Sequence, residues 1–435
     1  MRFYRMNEKT YSLAIALLLA GGTCVSALDA GPGGDTRWHS LFGSTHKKIA
    51  KEALKRINKD AYPDLDRASS ILKDGSASES GHADMMKDNG GRPKEIWETG
   101  NRKNPGGVLG NYKALKPGDA YQALGVICHL TQDMAVPAHA ANIEHFLSEG
   151  LEEYAAFFGE IGQVPEIDSS KAPYEYYQLL QDDTRSRLAS WLNPETGVPF
   201  WVPSPEASRS GEDVTFGARG SYGGGKDTYI FWKDKPGGNS GHGSNTGRTM
   251  VSRMPEISRE RVGTSAGYTR AVMESASRLL PPLVKDLSVY PNVITPGGKV
   301  KLSFIALDNR SRALRYSVRL IGAKGNVSVL TEGTAALDKP SGSLYPSQNS
   351  DGGTQDVPAE NFLFSRGLST TWEPRQLAEG TYTVEVQLTD EDGNTVPAEV
   401  NTDGIRENDS RTFLSVVNTI PEPPASSFSF DGGGG

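Results

Sequence analysis

The run His129-Leu-Thr-Gln-Asp133-Met-Ala-Val-Pro137-Ala-His139 holds two imidazoles and a carboxylate in a short span. His129 and Asp133 are four residues apart, so on a helix they stack on one face about one turn apart and both can reach one metal ion. Pro137 stops the helix and turns the chain, so His139 points elsewhere and one helix end feeds two metal positions. Taken alone, the pair also reads as a buried histidine hydrogen-bonded to its carboxylate neighbour. The residues around it favour chemistry. His46 leads the inward face of an earlier helix, and Asp74 and His82 lie in the polar loop that follows another. His145 comes six residues after His139, with Glu149 and Glu152 behind it. Imidazole and carboxylate without thiolate suit zinc in hydrolytic sites, where open positions hold water.

Phosphodiester hydrolysis is one reaction with which such a set is coherent. It needs a nucleophile that is strong at neutral pH and a means of offsetting charge that spreads over the phosphoryl oxygens. Clustered divalent metals supply both, and they let an acidic chain hold an anionic substrate. The 435 residues carry a formal charge of −7. That balance excludes a broad nucleic-acid-binding face, which requires clustered Lys and Arg. Asp74 is the candidate metal-linked general base, with a plain ligand or turn residue as the other reading.

Helices must position these groups. Residues 44–59 read as one, with Ser44 as start signal and Ile49, Ala50, Ala53, Leu54 and Ile57 on one stripe that His46 shares. A second runs from about Asp119 to Val136, and further helical patterns cover roughly 149–162, 173–192 and 258–286. Residues 203–250 are a Gly/Ser-rich insertion with little to bury. After Pro281-Pro282 the period becomes two: Val300, Leu302, Phe304 and Ala306 alternate with polar residues, as do Tyr382, Val384, Val386 and Leu388. These strands predict an antiparallel β-sandwich over 286–418, followed by a Pro/Gly-rich tail over 419–435.

The N-terminus has a basic head (Arg2, Arg5, Lys9), a short apolar run over 11–20 and the small-residue site Val25-Ser-Ala27, which together read as a secretory signal over 1–27. The protein is therefore expected to be secreted, periplasmic or extracellular. Removing the signal takes three basic residues and Glu8 with it, which moves the charge from −7 to −9. Cys128 is then the remaining cysteine, so no intrachain disulfide forms. It reads as a small packed residue. His39 and His242 read as exposed and without a role. Trp191, Trp201 and Trp232 either pack or line a cleft, with packing favoured.

The order Trp38…His46…Asp74…His82…His129-xxx-Asp133-xxx-Pro-x-His139-Ala-Ala-Asn…His145…Glu resembles the zinc-dependent phospholipase C family. By motif the resemblance covers roughly 38–165, and by helix content it extends to 285. It implies an all-α domain over 38–285, followed here by an all-β immunoglobulin-like sandwich, and up to three zinc ions. One metal would take the amine and carbonyl of Trp38 with His46 and a bridging Asp133. Trp38 is internal, so its amine is freed only by a cut after Arg37 that makes 28–37 a propeptide. The second metal would take Asp74, His82, His129 and Asp133. The third would take His139, His145 and a glutamate: Glu149 keeps the family spacing, whereas Glu152 better matches the aromatic helix context. The implied activity is hydrolysis of a phospholipid to diacylglycerol and a phosphorylated head group, with the sandwich available for surface or membrane contact. Two alternatives stay open, a zinc-dependent single-strand nuclease and an exported binding protein whose metals are structural.

Overall fold

The computed structural model describes residues 36–77, 91–101, 104–141, 143, 151, 155, 160–193, 197–203, 221–223, 232–234, 248–250, 253–340, 359–374, 377–396 and 410–418. The chain separates into Met1–Leu41 and the compact unit Phe42–Gly435. In the first, the described residues are 36–41, where helix α1 (Thr36–Arg56) opens. The helix thus begins ahead of Ser44, and His46 lies in its interior rather than its first turn. Thr36 to Gly43 contains no proline to break it, so a serine in mid-helix marks no boundary. Of the expected stripe, Ile49, Ala50, Ala53 and Ile57 are buried and Leu54 is half-buried against the helical core.

In the compact unit the helices gather on α6 (Pro117–Asp133), whose Pro117 occupies the first turn, where its missing N–H costs nothing. Every residue from Ala123 to Asp133 is buried, as expected of a helix enclosed on all sides. The others are α2 (Pro63–Arg67), α3 (Ser69–Ser76), α4 (Gly91–Glu98), α5 (Gly107–Lys113), α7 (Pro137–Ala140), α8 (Glu175–Arg187) and α9 (Met254–Leu279). Asp74 therefore lies within α3 and not in a loop after it.

The expectation of an all-α domain followed by an all-β immunoglobulin-like sandwich is overturned. The helical part carries two short antiparallel ladders, Trp201–Val202 (β1) with Ser221–Tyr222 (β2) and Trp232–Asp234 (β3) with Arg248–Met250 (β4). The β part, in turn, contains helix α10 (Ala359–Phe362). One of its sheets is three-stranded and antiparallel, with Phe364–Trp372 (β10), Val300–Asp308 (β7) and Leu283–Tyr290 (β5) in that order. The other orders Val293–Ile294 (β6), Arg411–Val416 (β12), Gly380–Thr389 (β11), Ala313–Ile321 (β8) and Val327–Ala336 (β9), and it is mixed, because β6 runs parallel to β12.

The physical reason lies in the period-two rule. Successive residues of a strand face opposite sides of the sheet, and here the second side of the three-stranded sheet is covered at the end that holds Leu283 and Leu307. The cross-strand pair Val284 and Ala306 joins the core between the sheets, while the next pair, Leu283 and Leu307, joins the helical core together with Ala359, Phe362 and Leu363. One apolar core thus passes from helices to sheet. The alternation expected at Val300, Leu302, Phe304 and Ala306 holds on the inter-sheet side.

Buried polar groups stitch the same junction. Asp64 on α2 is fully buried and accepts hydrogen bonds from Tyr121 Oη (2.6 Å), Ser277 Oγ (2.9 Å) and Asn309 Nδ2 (3.0 Å), so α2, α6, α9 and the turn after β7 meet on one carboxylate. The Arg67 guanidinium lies over the rings of Phe362 and Phe364, while its Nη2 donates to the Asn309 carbonyl.

Beside them Asp308 is fully buried, and its Oδ1 accepts from the backbone of Arg310 (2.9 Å) and Ser311 (2.5 Å). Burial pushes its carboxyl up to about 7, with Asp390 adding to the rise and the two backbone bonds opposing it. The folded protein therefore holds this proton where the unfolded chain has already released it. Stability from this group is greatest below about pH 4 and falls as the pH rises to about 7. Asp308→Asn is expected to flatten that slope in denaturation midpoints measured between pH 5 and 8, and an unchanged slope would contradict the assignment.

Candidate metal centre

Three elements converge at the C-terminal end of α6. Helix α1 delivers His46, α6 delivers His129, Gln132 and Asp133, and α3 ends beside them at Ser76. The ligand atoms of His46, His129 and Asp133 all lie within 4.8 Å of one another, and this buried group could hold a metal ion. His46 Nε2 stands 3.4 Å from Asp133 Oδ1, and His129 Nε2 stands 3.4 Å from Asp133 Oδ2. Each ring thus addresses a different oxygen of one carboxylate that is 1% exposed. The two rings lie against each other, with centroids 4.2 Å apart and planes tilted by 38°.

The far nitrogens are engaged elsewhere. His129 Nδ1 lies 2.9 Å from the Ser76 carbonyl oxygen, an acceptor only, so Nδ1 carries a proton and Nε2 keeps a lone pair in the neutral ring. His46 Nδ1 lies 2.7 Å from Gln132 Oε1. The 3.4 Å spacings exceed an ordinary N–H···O bond, and an Nε2 lone pair facing a carboxylate oxygen is a juxtaposition that a cation satisfies. Two imidazole nitrogens and a carboxylate form a donor set that zinc accepts. Tyr177 on α8 feels the charge of this carboxylate: its phenol is held well above its usual range, chiefly by burial and further by Asp133.

The carbonyl of Ser76 reaches His129 because α3 and α6 approach closely. A Cβ on Gly125 would stand 2.7 Å from the Gly75 Cα and 2.8 Å from the Leu72 carbonyl oxygen, and one on Gly75 would stand 2.4 Å from the Gln122 carbonyl oxygen. Gly125→Ala would thus drive backbone into backbone. It is expected to cost about 1–3 kcal/mol in denaturant midpoint and to weaken metal binding, because the Ser76 carbonyl retreats from His129. Wild-type stability and binding in the variant would refute the coupling.

Of the sequence candidates, the structure brings together His46, His129 and Asp133. His139 is buried on α7 and is not part of that group. Asp74 is exposed, and its Oδ1 lies 2.9 Å from Lys47 Nζ. His82, His145, Glu149 and Glu152 lie outside the described residues, as do the side chain of Trp38 and the 1–27 signal. Trp191 and Trp201 are buried and meet edge-on, with ring centroids 5.7 Å apart, so both pack. Cys128 is buried and free. Among the described residues no helix is long and apolar enough to cross a membrane. The sequence reading missed Gln132, Ser76 and Thr269. Only Gln132 left a signal, as a polar residue three positions after His129 on the face that looks inward.

No family model matches the chain, and no curated protein matches it. Among solved structures, the CARDB domain of a Pyrococcus furiosus protein in complex with di-metal ions aligns at 14% identity, covering 31% of this chain and 92% of that one, with a TM-score of 0.20. The alkylpurine DNA glycosylase AlkC of Pseudomonas fluorescens, bound to DNA containing an abasic-site analog, aligns at 11% identity over 89% of this chain and 99% of that one, with a TM-score of 0.19. At TM-scores this low neither likeness bears on fold or function.

Proposed function

We propose that the protein is a zinc-dependent phosphodiesterase of the phospholipase C type, hydrolysing a phospholipid to diacylglycerol and a phosphorylated head group. One observation carries the reading: two imidazoles, His46 and His129, direct Nε2 at opposite oxygens of the single buried carboxylate of Asp133. A carboxylate addressed from both sides suits a bridge between adjacent metal positions. His46 and Asp133 would hold one zinc ion, and His129 and Asp133 a second. The sequence resemblance adds Asp74 and His82 to the second and His139, His145 and Glu149 or Glu152 to a third. Zinc held there supplies a bound water whose pKa falls toward about 7 and positive charge for the phosphoryl oxygens.

The chain's own residues do the rest. The Ser76 carbonyl fixes the proton of His129 on Nδ1 and leaves Nε2 to bind. The burial of Asp133 keeps bulk water from competing for its oxygens. Asp74 would have to exchange Lys47 for the metal before it could serve as ligand or base.

The reading is tested by incubating the purified protein with zinc and measuring release of phosphocholine from lecithin and of acid-soluble nucleotides from single-stranded DNA. Chelator-sensitive phosphocholine release is expected. Nucleotide release alone would replace this substrate class with the nuclease alternative, and neither activity would leave a binding protein with structural metal.

A further inference from the structure

We infer that Gln132, which is not itself a ligand, is a positioning residue that fixes the tautomer of His46 and so aims the lone pair of its Nε2 at the metal group. The inference rests on reading His46, His129 and Asp133 as ligands.

The two histidines are held by different means. His129 Nδ1 faces a backbone carbonyl, which cannot turn over, so its tautomer is set by the fold. His46 Nδ1 faces a side-chain amide, which has an acceptor at one end and a donor at the other. With Gln132 Oε1 toward the ring, 2.7 Å away, Nδ1 carries the proton and Nε2 keeps its lone pair in the neutral ring. Were the amide reversed, its NH2 would donate to Nδ1, the imidazole proton would move to Nε2, and that nitrogen could no longer ligate. The orientation of this amide therefore sets which ring nitrogen of His46 its Nδ1 contact favours for the proton.

Contacts from two further helices hold that orientation. Ser76 Oγ on α3 shares its one proton between Gln132 Oε1 at 3.2 Å and the His46 carbonyl oxygen at 3.3 Å, and Gln132 Nε2 donates to Thr269 Oγ1 on α9 at 3.3 Å. Gln132 is 2% exposed. An amide buried so deeply stays in the core only when its hydrogen bonds are made, and here Oε1 has two partners and Nε2 has one. Four helices thus meet on this amide: α1 through His46, α3 through Ser76, α9 through Thr269, and α6, which carries it. A hydrophobic residue of the same size would fill the space and leave the His46 proton unassigned.

The test uses the full chain, stripped of metal, with nitrogen-15 NMR of the histidine rings to read the tautomer and competition titration with Zn2+ to read affinity. In the wild type His46 is expected as the Nδ1–H form. Gln132→Met keeps the volume but removes the acceptor; His46 should then populate both forms, and zinc affinity should fall about 10–100-fold, the usual effect of removing a partner that orients a ligand. Gln132→Glu keeps the acceptor, and it should retain the Nδ1–H form and recover most of the affinity, which a purely packing role would not produce. Should Gln132→Met fail to fold, Thr269→Val releases the other end of the amide and is expected to mix the tautomers with a smaller loss.

An Nε2–H form of His46 in the metal-free wild type would overturn the inference, as would unchanged zinc affinity in Gln132→Met. If the wild type binds no zinc, the proposed function fails, while the tautomer spectra still decide the role of Gln132.

Discussion

Asp133→Asn is expected to lower zinc affinity by more than about 100-fold and any hydrolysis by roughly 1000-fold, while leaving the metal-free protein folded and at least as stable as the wild type. The loss of affinity follows from removing the one carboxylate that both imidazoles address, and the loss of rate, on the proposed function, from removing a charge that would hold metal beside the substrate. The retained stability follows from the lone pair of His129 Nε2. An amide NH2 in place of one carboxylate oxygen gives an Nε2 lone pair a donor where it now meets an acceptor. If Asp133 were instead only the partner of charged histidines in a buried ion pair, the same substitution would destabilise the fold by about 3–5 kcal/mol. Denaturant midpoints of the metal-free variant, measured beside zinc titrations, separate the two cases because they predict opposite signs.

The second large effect is expected at the junction of helices and sheet. Asp64→Ala should cost about 3–5 kcal/mol, because the buried hydroxyls of Tyr121 and Ser277 lose the acceptor they share and Asn309 Nδ2 keeps only its bonds to Ser277. Since these donors come from α6, α9 and the turn after β7, the helical and β parts should lose stability together, in one transition at an unchanged denaturant slope. Two separate transitions in the wild type, with only one of them moved by the substitution, would contradict the shared core.

How much of this was legible in the sequence differs by element. The stripe Ile49, Ala50, Ala53 and Ile57 and the alternation through Val300, Leu302 and Phe304 are local patterns, and both were read correctly because burial on one face imposes a period. The grouping of His46 with His129 and Asp133 follows from the family resemblance, which placed them in a larger ligand set, and the local patterns agree with it. The four-residue spacing puts two of the three on one helix face, and His46 shares the inward stripe of its own helix.

Long-range approach was not legible. Nothing in the glycines at 75 and 125 says that they meet, yet their contact carries the Ser76 carbonyl to His129. Ser44 resembles a start signal, yet α1 runs on ahead of it, because helix continuity depends on the residues preceding it. The division into an all-α and an all-β part failed for a related reason. Alternation in a strand reports that one face is apolar, but the burial of Leu283 and Leu307 on the opposite face depends on helices far away in the chain.

Metal content of the purified, freshly dialysed protein, measured by plasma mass spectrometry beside the Asp133→Asn variant, is the most direct test of a metal centre at the end of α6. At least one equivalent of zinc per wild-type chain, lost in the variant without loss of fold, is the predicted result. A wild-type chain that carries no stoichiometric metal and takes up none from added Zn2+ would contradict it.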